Sequence, residues 1–458
     1  MISGRKMSIK KLILASANRH TDPYPVYPLG ISYLHSFLSQ QMPDLKIYIF
    51  DFLTGSYEDY IQLLTKVKPD YVGISLRNID DVNIYKKESF LNHYKQIIEH
   101  TRMHSKSVII TGGSGFSIYP GILFETLKPD FGIYGEGEIS LHRLITALER
   151  GEDYTRISGL VYRHEGRIIE NKRDMYFQTP VLSFDETLTD YYWKNSGMLN
   201  IQTKRGCPYK CIYCTYPLIE GHKVRTLDPD QIVKTLSDLV RTKKIDYVFF
   251  TDSIFNINNE FNYDLADKLI AANLKIRWGG YFNFANIDRK LLEKLKQTGL
   301  RHIEFGTDSL SDTILKKYEK PFSVSDIFRI SGYCNQLDID FAHFLILGGY
   351  GETEETLNET FENSKKITRS VFFPFIGLRI YPGTKLHEIA IQEKIVKETD
   401  PILEPVYYVS KDIDLESMKM KAKQTGKQWI FPDDDLGDIM IRMRQRDKKG
   451  PLWEYLIK

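Results

Sequence analysis

The sequence predicts an α/β protein: an N-terminal doubly wound parallel sheet, then a partial (β/α)6 barrel and a small helical C-terminal extension. Three observations predict it. Short β-rich runs alternate with amphipathic stretches over residues 1–150 and again over 198–400, the pattern of parallel strands joined by crossover helices. Glycine- and proline-rich loops follow the strands, at the ends where ligands of such sheets sit. Three of the four cysteines fall together at the start of the second region, as Cys207, Cys211 and Cys214.

A chain of 458 residues has room for two or three domains, and 42% hydrophobic with 27% charged residues describes an ordinary globular composition. The net charge of +2 exerts no global pull on nucleic acid or anionic membrane, so no stable nucleic-acid partner is expected. No stretch approaches the roughly 18 apolar residues of a membrane span. The basic N-terminus leads into the short run Leu12–Ala15, which reads as a first strand rather than a signal peptide, so a cytoplasmic location is expected.

In residues 1–150 the strand candidates are Lys11–Ala15, Lys46–Phe50, Tyr71–Ser75, Ser107–Ile110 and Phe131–Tyr134. Helical stretches lie at Leu29–Gln40, Tyr60–Val67, Phe90–Thr101 and Ser140–Arg150. The loops between them carry Pro23, Pro25, Pro28 and Gly30, then Arg77, Asn78 and Asp80, then Gly112, Gly113, Ser114 and Gly115, then Gly135, Glu136, Gly137 and Glu138. Turn formation explains any one of these glycines; as a set they allow close backbone approach to a ligand. Residues 151–197 read as a hairpin about Glu165-Gly166 and a linker ending in Tyr191-Tyr192-Trp193, with His164 exposed in the turn.

The cysteines are spaced C-x-x-x-C-x-x-C. Thiolates suit an iron–sulfur cluster or zinc, and three ligands on a four-iron cube leave one iron open. The alternatives are zinc, with His222 as a candidate fourth ligand, and a disulfide, which the absence of secretory features disfavours. Cysteine arithmetic excludes a second cluster, since none precedes Cys207 and only Cys334 follows Cys214, ahead of an apolar strand where it reads as a packed side chain.

The stretch Thr203–Tyr216, with Tyr213 ahead of the third cysteine, resembles the signature of the radical S-adenosylmethionine (radical SAM) enzymes. The resemblance implies that Cys207, Cys211 and Cys214 hold a 4Fe-4S cluster whose open iron binds S-adenosylmethionine, and that reductive cleavage yields a 5′-deoxyadenosyl radical. The N-terminal loops resemble the cobalamin-binding domain of one subclass, which implies cobalamin contacts from Pro28, Gly30, Arg77, Asn78, Gly112, Gly113, Ser114, Gly135, Glu136 and Gly137. The Asp-x-His-x-x-Gly motif that supplies a histidine to cobalt elsewhere is absent, as in many members of that subclass.

In the barrel region, strands are expected at Leu199–Thr203, Tyr247–Thr251, Lys275–Gly279, His302–Gly306, Phe341–Leu347 and Phe373–Ile380, with the cluster loop at the end of the first. By resemblance, Tyr213, Thr251, Asp252, Glu304, Asp308, Gly348, Gly349 and Arg379 contact S-adenosylmethionine; Asp308 stands in place of the usual glutamate and the common Gly-Gly-Glu is missing at Thr251-Asp252-Ser253. For Arg225 a plain salt bridge stands beside a methionyl carboxylate contact. In residues 401–458, helices are expected at Leu415–Lys423 and Leu436–Arg444 about an acidic loop, as an extension capping the barrel mouth.

The resemblance implies methyl transfer to an unactivated carbon, with a small molecule or lipid as substrate and a flavodoxin or ferredoxin as electron donor. Ring formation or rearrangement with the same cofactors is the alternative, and no catalytic acid or base is singled out. A zinc-stabilised binding protein and a nucleic-acid modification factor are the rivals from other classes.

Overall fold

The computed structural model describes residues 9–21, 23–174, 182–434, 436–437, 443, 445–446 and 448–457. These fall into two compact units, one of residues up to 20, 28–79 and 89–188, the other of residues 21–27, 80–88 and 189–458.

The first unit is built on a seven-stranded sheet. Its strands are β1 (Lys11–Ser16), β2 (Lys46–Asp51), β3 (Tyr71–Ser75), β4 (Val108–Gly112), β5 (Phe131–Ile133), β6 (Leu160–His164) and β7 (Arg167–Glu170), in the order β2-β1-β3-β4-β5-β6-β7. The first five pair in parallel, and β6 and β7 add the antiparallel hairpin expected around Glu165-Gly166. The strand order reverses at β1, so the loops after β1 and β3 flank the switch point at which doubly wound sheets bind ligands. Leu12 and Leu14 on β1 pack with Ile31 and Leu38 of helix Leu29–Gln41 and with Leu144 and Ile145 of helix Glu138–Arg150.

Helix Tyr57–Val67 starts three residues earlier than its apolar pattern suggests. Ser56 and Asp59 form a capping box that satisfies the first free N–H groups.

The second unit holds another seven-stranded sheet. In chain order the strands are β8 (Leu199–Ile201), β9 (Lys204–Arg205), β10 (Arg225–Thr226), β11 (Tyr247–Phe250), β12 (Arg277–Phe282), β13 (Leu300–Asp308), β14 (Asp340–Leu347), β15 (Ser370–Ile376), β16 (Leu378–Arg379), β17 (Tyr407–Tyr408) and β18 (Gln428–Trp429). The large sheet runs β18-β15-β14-β13-β12-β11-β8, all parallel, while β9 pairs with β10 and β16 with β17 in two-stranded ribbons. This is the partial barrel with a seventh strand added, because Trp429, read as loop from sequence, stacks on Phe372 of β15 at 4.8 Å. The single strand expected over Phe373–Ile380 is two, broken at Gly377, whose φ of +67° suits glycine alone.

Helix Leu415–Gln424 forms as expected, whereas the expected helix Leu436–Arg444 lies largely outside the described residues. The end of the chain departs from the mouth-capping expectation. A short 3₁₀ helix, Leu452–Tyr455, places Trp453 and Glu454 among Tyr247, His302 and Glu304, toward the N-terminal ends of the strands. Trp453 buries against Ala342, Val371 and Ile430 and so floors the barrel.

Candidate active site

The cysteine loop begins directly after β8. Its entry is held by Asp252, at the end of β11, whose carboxylate accepts the backbone N–H groups of Thr203 and Lys204 at 2.6 and 2.9 Å and the Thr203 hydroxyl at 2.5 Å. The Lys204 ammonium completes this set at 3.1 Å, under the rings of Phe255 and Phe261. Burial lowers the Lys204 pKa and the neighbouring Asp252 opposes that shift. Asp252 is thereby committed to positioning the loop. Its neighbour Thr251 is tied to Ile201 through both its N–H and its hydroxyl. The β9–β10 ribbon closes the loop, and at Gly206 a Cβ would lie 2.2 Å from the Lys223 carbonyl oxygen. Arg225, in the same ribbon, donates to the Glu220 carbonyl at 2.7 Å.

Cys207, Cys211 and Cys214 are unpaired thiols, Cys207 buried and the others half-buried. Burial raises all three pKa values, and Cys214 is pushed up to about 12 by burial and then by Cys211 and Cys207. Among the described residues no three His, Cys, Asp or Glu side chains gather tightly enough to hold one ion. The three thiols are nevertheless electrostatic neighbours, the arrangement a cubane asks for, because each cysteine takes a different iron of the cluster. His222 is exposed, beyond the Gly221 carbonyl that accepts the Cys207 N–H.

The opposing wall is Asp308, the last residue of β13. A register shift between Gly306 and Asp308 interrupts the ladder with β14. Asp308 there adopts φ +62°, a region in which aspartate is among the few side chains tolerated and whose strain concentrates at functional sites. Its carboxylate receives the Tyr213 hydroxyl at 2.5 Å and the Lys320 ammonium at 2.8 Å, both carboxylate and ammonium buried. Burial alone would lower the Lys320 pKa; Asp308 and the thiols of Cys211 and Cys214 outweigh it and raise it. The sequence brought Asp308 and Tyr213 into the site but missed Lys320, an ordinary lysine beyond a separate short helix, Asp312–Lys317.

Asp308→Asn is expected to preserve this backbone, which asparagine tolerates, while leaving the Lys320 ammonium unpaired. A loss of about 3 kcal/mol in urea unfolding of the cluster-free protein is expected; an unchanged midpoint would remove Lys320–Asp308 from the account.

Gly348 and Gly349 form the turn after β14. A Cβ at Gly349 would sit 2.0 Å from the Tyr318 hydroxyl oxygen, and Gly348 has φ +75°. The Gly348 N–H donates to the Glu352 carboxyl, which is buried and pushed up to about 7 by burial, against the opposing pull of the Gly348 and Gly349 N–H groups. Below the unfolded carboxyl pKa both states carry the proton and the contribution is fully present; as pH rises the unfolded chain ionises first, so stability falls up to about pH 7. Wild type is expected to lose on the order of 3 kcal/mol between pH 4.5 and 7.5 from this group. Glu352→Gln is expected to abolish that part of the slope in pH-dependent chemical denaturation; an unchanged slope assigns it elsewhere.

Two predicted residues stand apart from the Asp308 cluster. Glu304 lies deeper in the barrel, accepting from Trp453 Nε1 at 3.1 Å. Arg379 is buried, its Nε donating to Asp80 at 2.9 Å and its other nitrogens to the carbonyls of Ile380 and Ile402 at 2.6 and 3.0 Å.

Residues 201–363 match the Radical SAM superfamily. The chain carries a radical SAM domain. The matched span includes the cysteine loop, Asp308, Lys320 and Gly348-Gly349. An uncharacterised methyltransferase from Pyrococcus horikoshii is 24% identical over 84% of this chain and 85% of its own length. The anaerobic magnesium-protoporphyrin IX monomethyl ester cyclase of Rubrivivax gelatinosus is 24% identical over 74% of this chain and 62% of its own. Among solved structures, the radical S-adenosylmethionine methyltransferase TsrM from Kitasatospora setae, with cobalamin and a [4Fe-4S] cluster bound, superposes with a TM-score of 0.87 at 19% identity, covering 98% of this chain and 97% of that one. That likeness establishes the fold, a parallel α/β unit together with the radical SAM barrel.

The remaining predicted residues lie in the first unit, at the C-terminal ends of its strands. Pro28 and Gly30 open the helix after β1, Arg77 and Asn78 follow β3, Gly112, Gly113 and Ser114 follow β4, and Gly135, Glu136 and Gly137 follow β5. Two of these loops interlock: Ser114 donates to the Arg77 carbonyl at 2.7 Å, and a Cβ at Gly113 would lie 2.6 Å from the Leu76 carbonyl oxygen. Gly30 faces open space, with nothing within 4 Å of a Cβ built there.

Proposed function

We propose that this radical SAM enzyme is cobalamin-dependent and methylates an unactivated carbon of a small-molecule or lipid intermediate. The observation that carries the reading is the convergence of the three thiols on the strained Asp308 and its Lys320 partner at the C-terminal end of the barrel, where barrel chemistry resides. Cys207, Cys211 and Cys214 would hold the cluster through soft thiolate sulfur. Tyr213 and Lys320 fix the Asp308 carboxylate, which then presents its remaining lone pairs to the ribose hydroxyls or amine of S-adenosylmethionine. Gly348 and Gly349 let this turn pack against Tyr318 and Met418, and the nucleoside would meet it through the turn's backbone.

Asp252, Glu304, Arg379 and Thr251 act through position, as the groups that hold the loop, the barrel interior and the strand ends. The loops with Pro28, Gly30, Arg77, Asn78, Gly112–Ser114 and Gly135–Gly137 fit cobalamin: they bring backbone and polar groups to the C-terminal strand ends, with open space at Gly30, suited to the amide periphery of a corrin, and these positions include no histidine for cobalt. When bound, the cluster supplies the electron that cleaves S-adenosylmethionine and cobalamin supplies the methyl carrier. A flavodoxin or ferredoxin in a reducing cytoplasm is the expected electron source; among the described residues no helix is long and apolar enough to cross a membrane.

The test is anaerobic reconstitution with iron, sulfide and hydroxocobalamin, followed by metal analysis and S-adenosylmethionine cleavage under a strong reductant. About four irons per chain with retained cobalamin is expected; zinc without iron would refute the reading. The likeness to the protoporphyrin cyclase favours one second reading, ring formation with the same cofactors. Isotopically labelled methyl carried into the product separates the two.

A further inference from the structure

The barrel interior above the site's floor is aromatic. Strand register places Tyr281 beside Glu304, Gly306 beside Phe344, Phe344 beside Phe373, and Ile346 beside Phe375, with partners in a parallel sheet sharing a face. Phe344 and Phe373 stack at 5.1 Å, and Phe344 lies 6.4 Å from Phe375. Trp453 belongs to the same cluster as Phe344 and Phe373, which identifies this face as the lumen side. The opposite face of β13 is packed, Phe305 stacking on Phe284 at 4.2 Å.

Such large side chains inside a filled barrel should be buried, yet Phe375 is 42% exposed and Tyr281 37% exposed. Between them a Cβ built on Gly306 meets nothing within 4 Å. A space is therefore left open two residues below Asp308 and above the Trp453 floor. On its β14 and β15 walls the lumen-facing positions are Ala342, Phe344 and Ile346, then Val371, Phe373 and Phe375, without one charged group. The carboxyls deeper in are engaged: Glu304 accepts from Trp453 and is pushed by burial toward its neutral form, and Glu454 accepts from Tyr247 and meets His302 at 2.8 Å.

We propose that this lumen binds the substrate through an uncharged hydrocarbon group, aliphatic or aromatic, inserted past Gly306 so that the reacting C–H lies under Asp308. The inference rests on the radical reading of the site and adds the class of substrate. A charged or strongly polar group placed there would lose its water and find no partner on the β14 and β15 walls. An apolar one gains contact with three phenylalanine rings, which offer large apolar surfaces. Gly306 sets the width and Trp453 the depth.

The experiment uses the full, cluster-reconstituted protein and the neutral fluorescent probe N-phenyl-1-naphthylamine, with decanol as competitor. Saturable binding near one probe per chain, displaced by decanol, is expected. Gly306→Leu fills the open space without backbone strain, since Gly306 has no positive φ, and is expected to weaken probe binding at least about tenfold. Iron content and substrate-free cleavage of S-adenosylmethionine should stay at the wild-type level in the same samples. Phe375→Ser, at an already exposed position, is the second variant and is expected to weaken binding as well. Absence of saturable binding to iron-loaded wild type, or affinity unchanged in both variants, overturns the proposal while leaving the radical chemistry intact. A wild type that takes up no iron fails the underlying reading instead, so the two failures are distinguishable.

Discussion

Cys211→Ala is expected to abolish iron uptake and reduce S-adenosylmethionine cleavage to background, while the fold survives. The argument is electrostatic as much as stoichiometric. The thiolate, not the thiol, ligates iron; burial holds Cys207, Cys211 and Cys214 in the protonated form, and neighbouring thiols add to this at Cys211 and Cys214. Only the charge of the incoming metal can compensate three anions in this space, with Lys320 contributing one fixed positive charge. Binding is thus cooperative across the set, and two cysteines are not two-thirds of a site. Because Cys211 is only half-buried, alanine costs the cluster-free protein less than about 1 kcal/mol. Cys334→Ala is the control. Cys334 is buried in helix Val324–Gln336, so its loss should lower stability yet leave iron at wild-type content. Iron retained by Cys211→Ala would break the assignment of the cluster ligands; cluster loss in Cys334→Ala would show that iron content reports on folding alone.

What could be read from the chain beforehand divides by the range of the interaction. The placement of the cysteine loop after the first barrel strand and of the loop glycines at strand ends was legible because such signals are written within a few residues, and the parallel strands because apolar runs in α/β proteins are long and clean. Lys320 was not legible: its role exists only because β13 and the turn before helix Val324–Gln336 bring it to Asp308. The same holds for Trp453, which looks like any aromatic near a chain end until it reaches Glu304, 149 residues away in sequence. The seventh strand has two residues, too few for a period to show.

Asp308 stands where the resembled enzymes carry glutamate, and the structure supplies a physical reason for a short side chain. The residue is left-handed at a register shift, where aspartate is better tolerated than longer side chains, and its carboxylate is met there by Tyr213 and Lys320. Arg379 shows the converse. Its sequence surroundings suggested a ligand contact, but the guanidinium spends its donors on protein acceptors, which points to a role in the architecture of the second unit.

That role predicts a large effect. Arg379→Met is expected to destabilise the second unit by about 3–5 kcal/mol, because it leaves the Asp80 carboxylate, 1% exposed, without its counter-charge. The guanidinium also satisfies the carbonyls of Ile380, Ile402 and Leu403, which a lysine cannot reproduce with one point charge, so Arg379→Lys should recover little. Removing both charges in Asp80→Leu with Arg379→Met should cost less than Arg379→Met alone, since no buried ion is stranded. Lys365→Met breaks a pair with Glu362 whose side chains are 44% and 66% exposed, and is expected to stay within about 1 kcal/mol. Urea unfolding of the four variants, followed by tryptophan fluorescence, reads all of this at once: Trp193, Trp278, Trp429 and Trp453 all lie in the second unit. Equal losses in Arg379→Met and Lys365→Met would show that the buried pair contributes no more than a surface one.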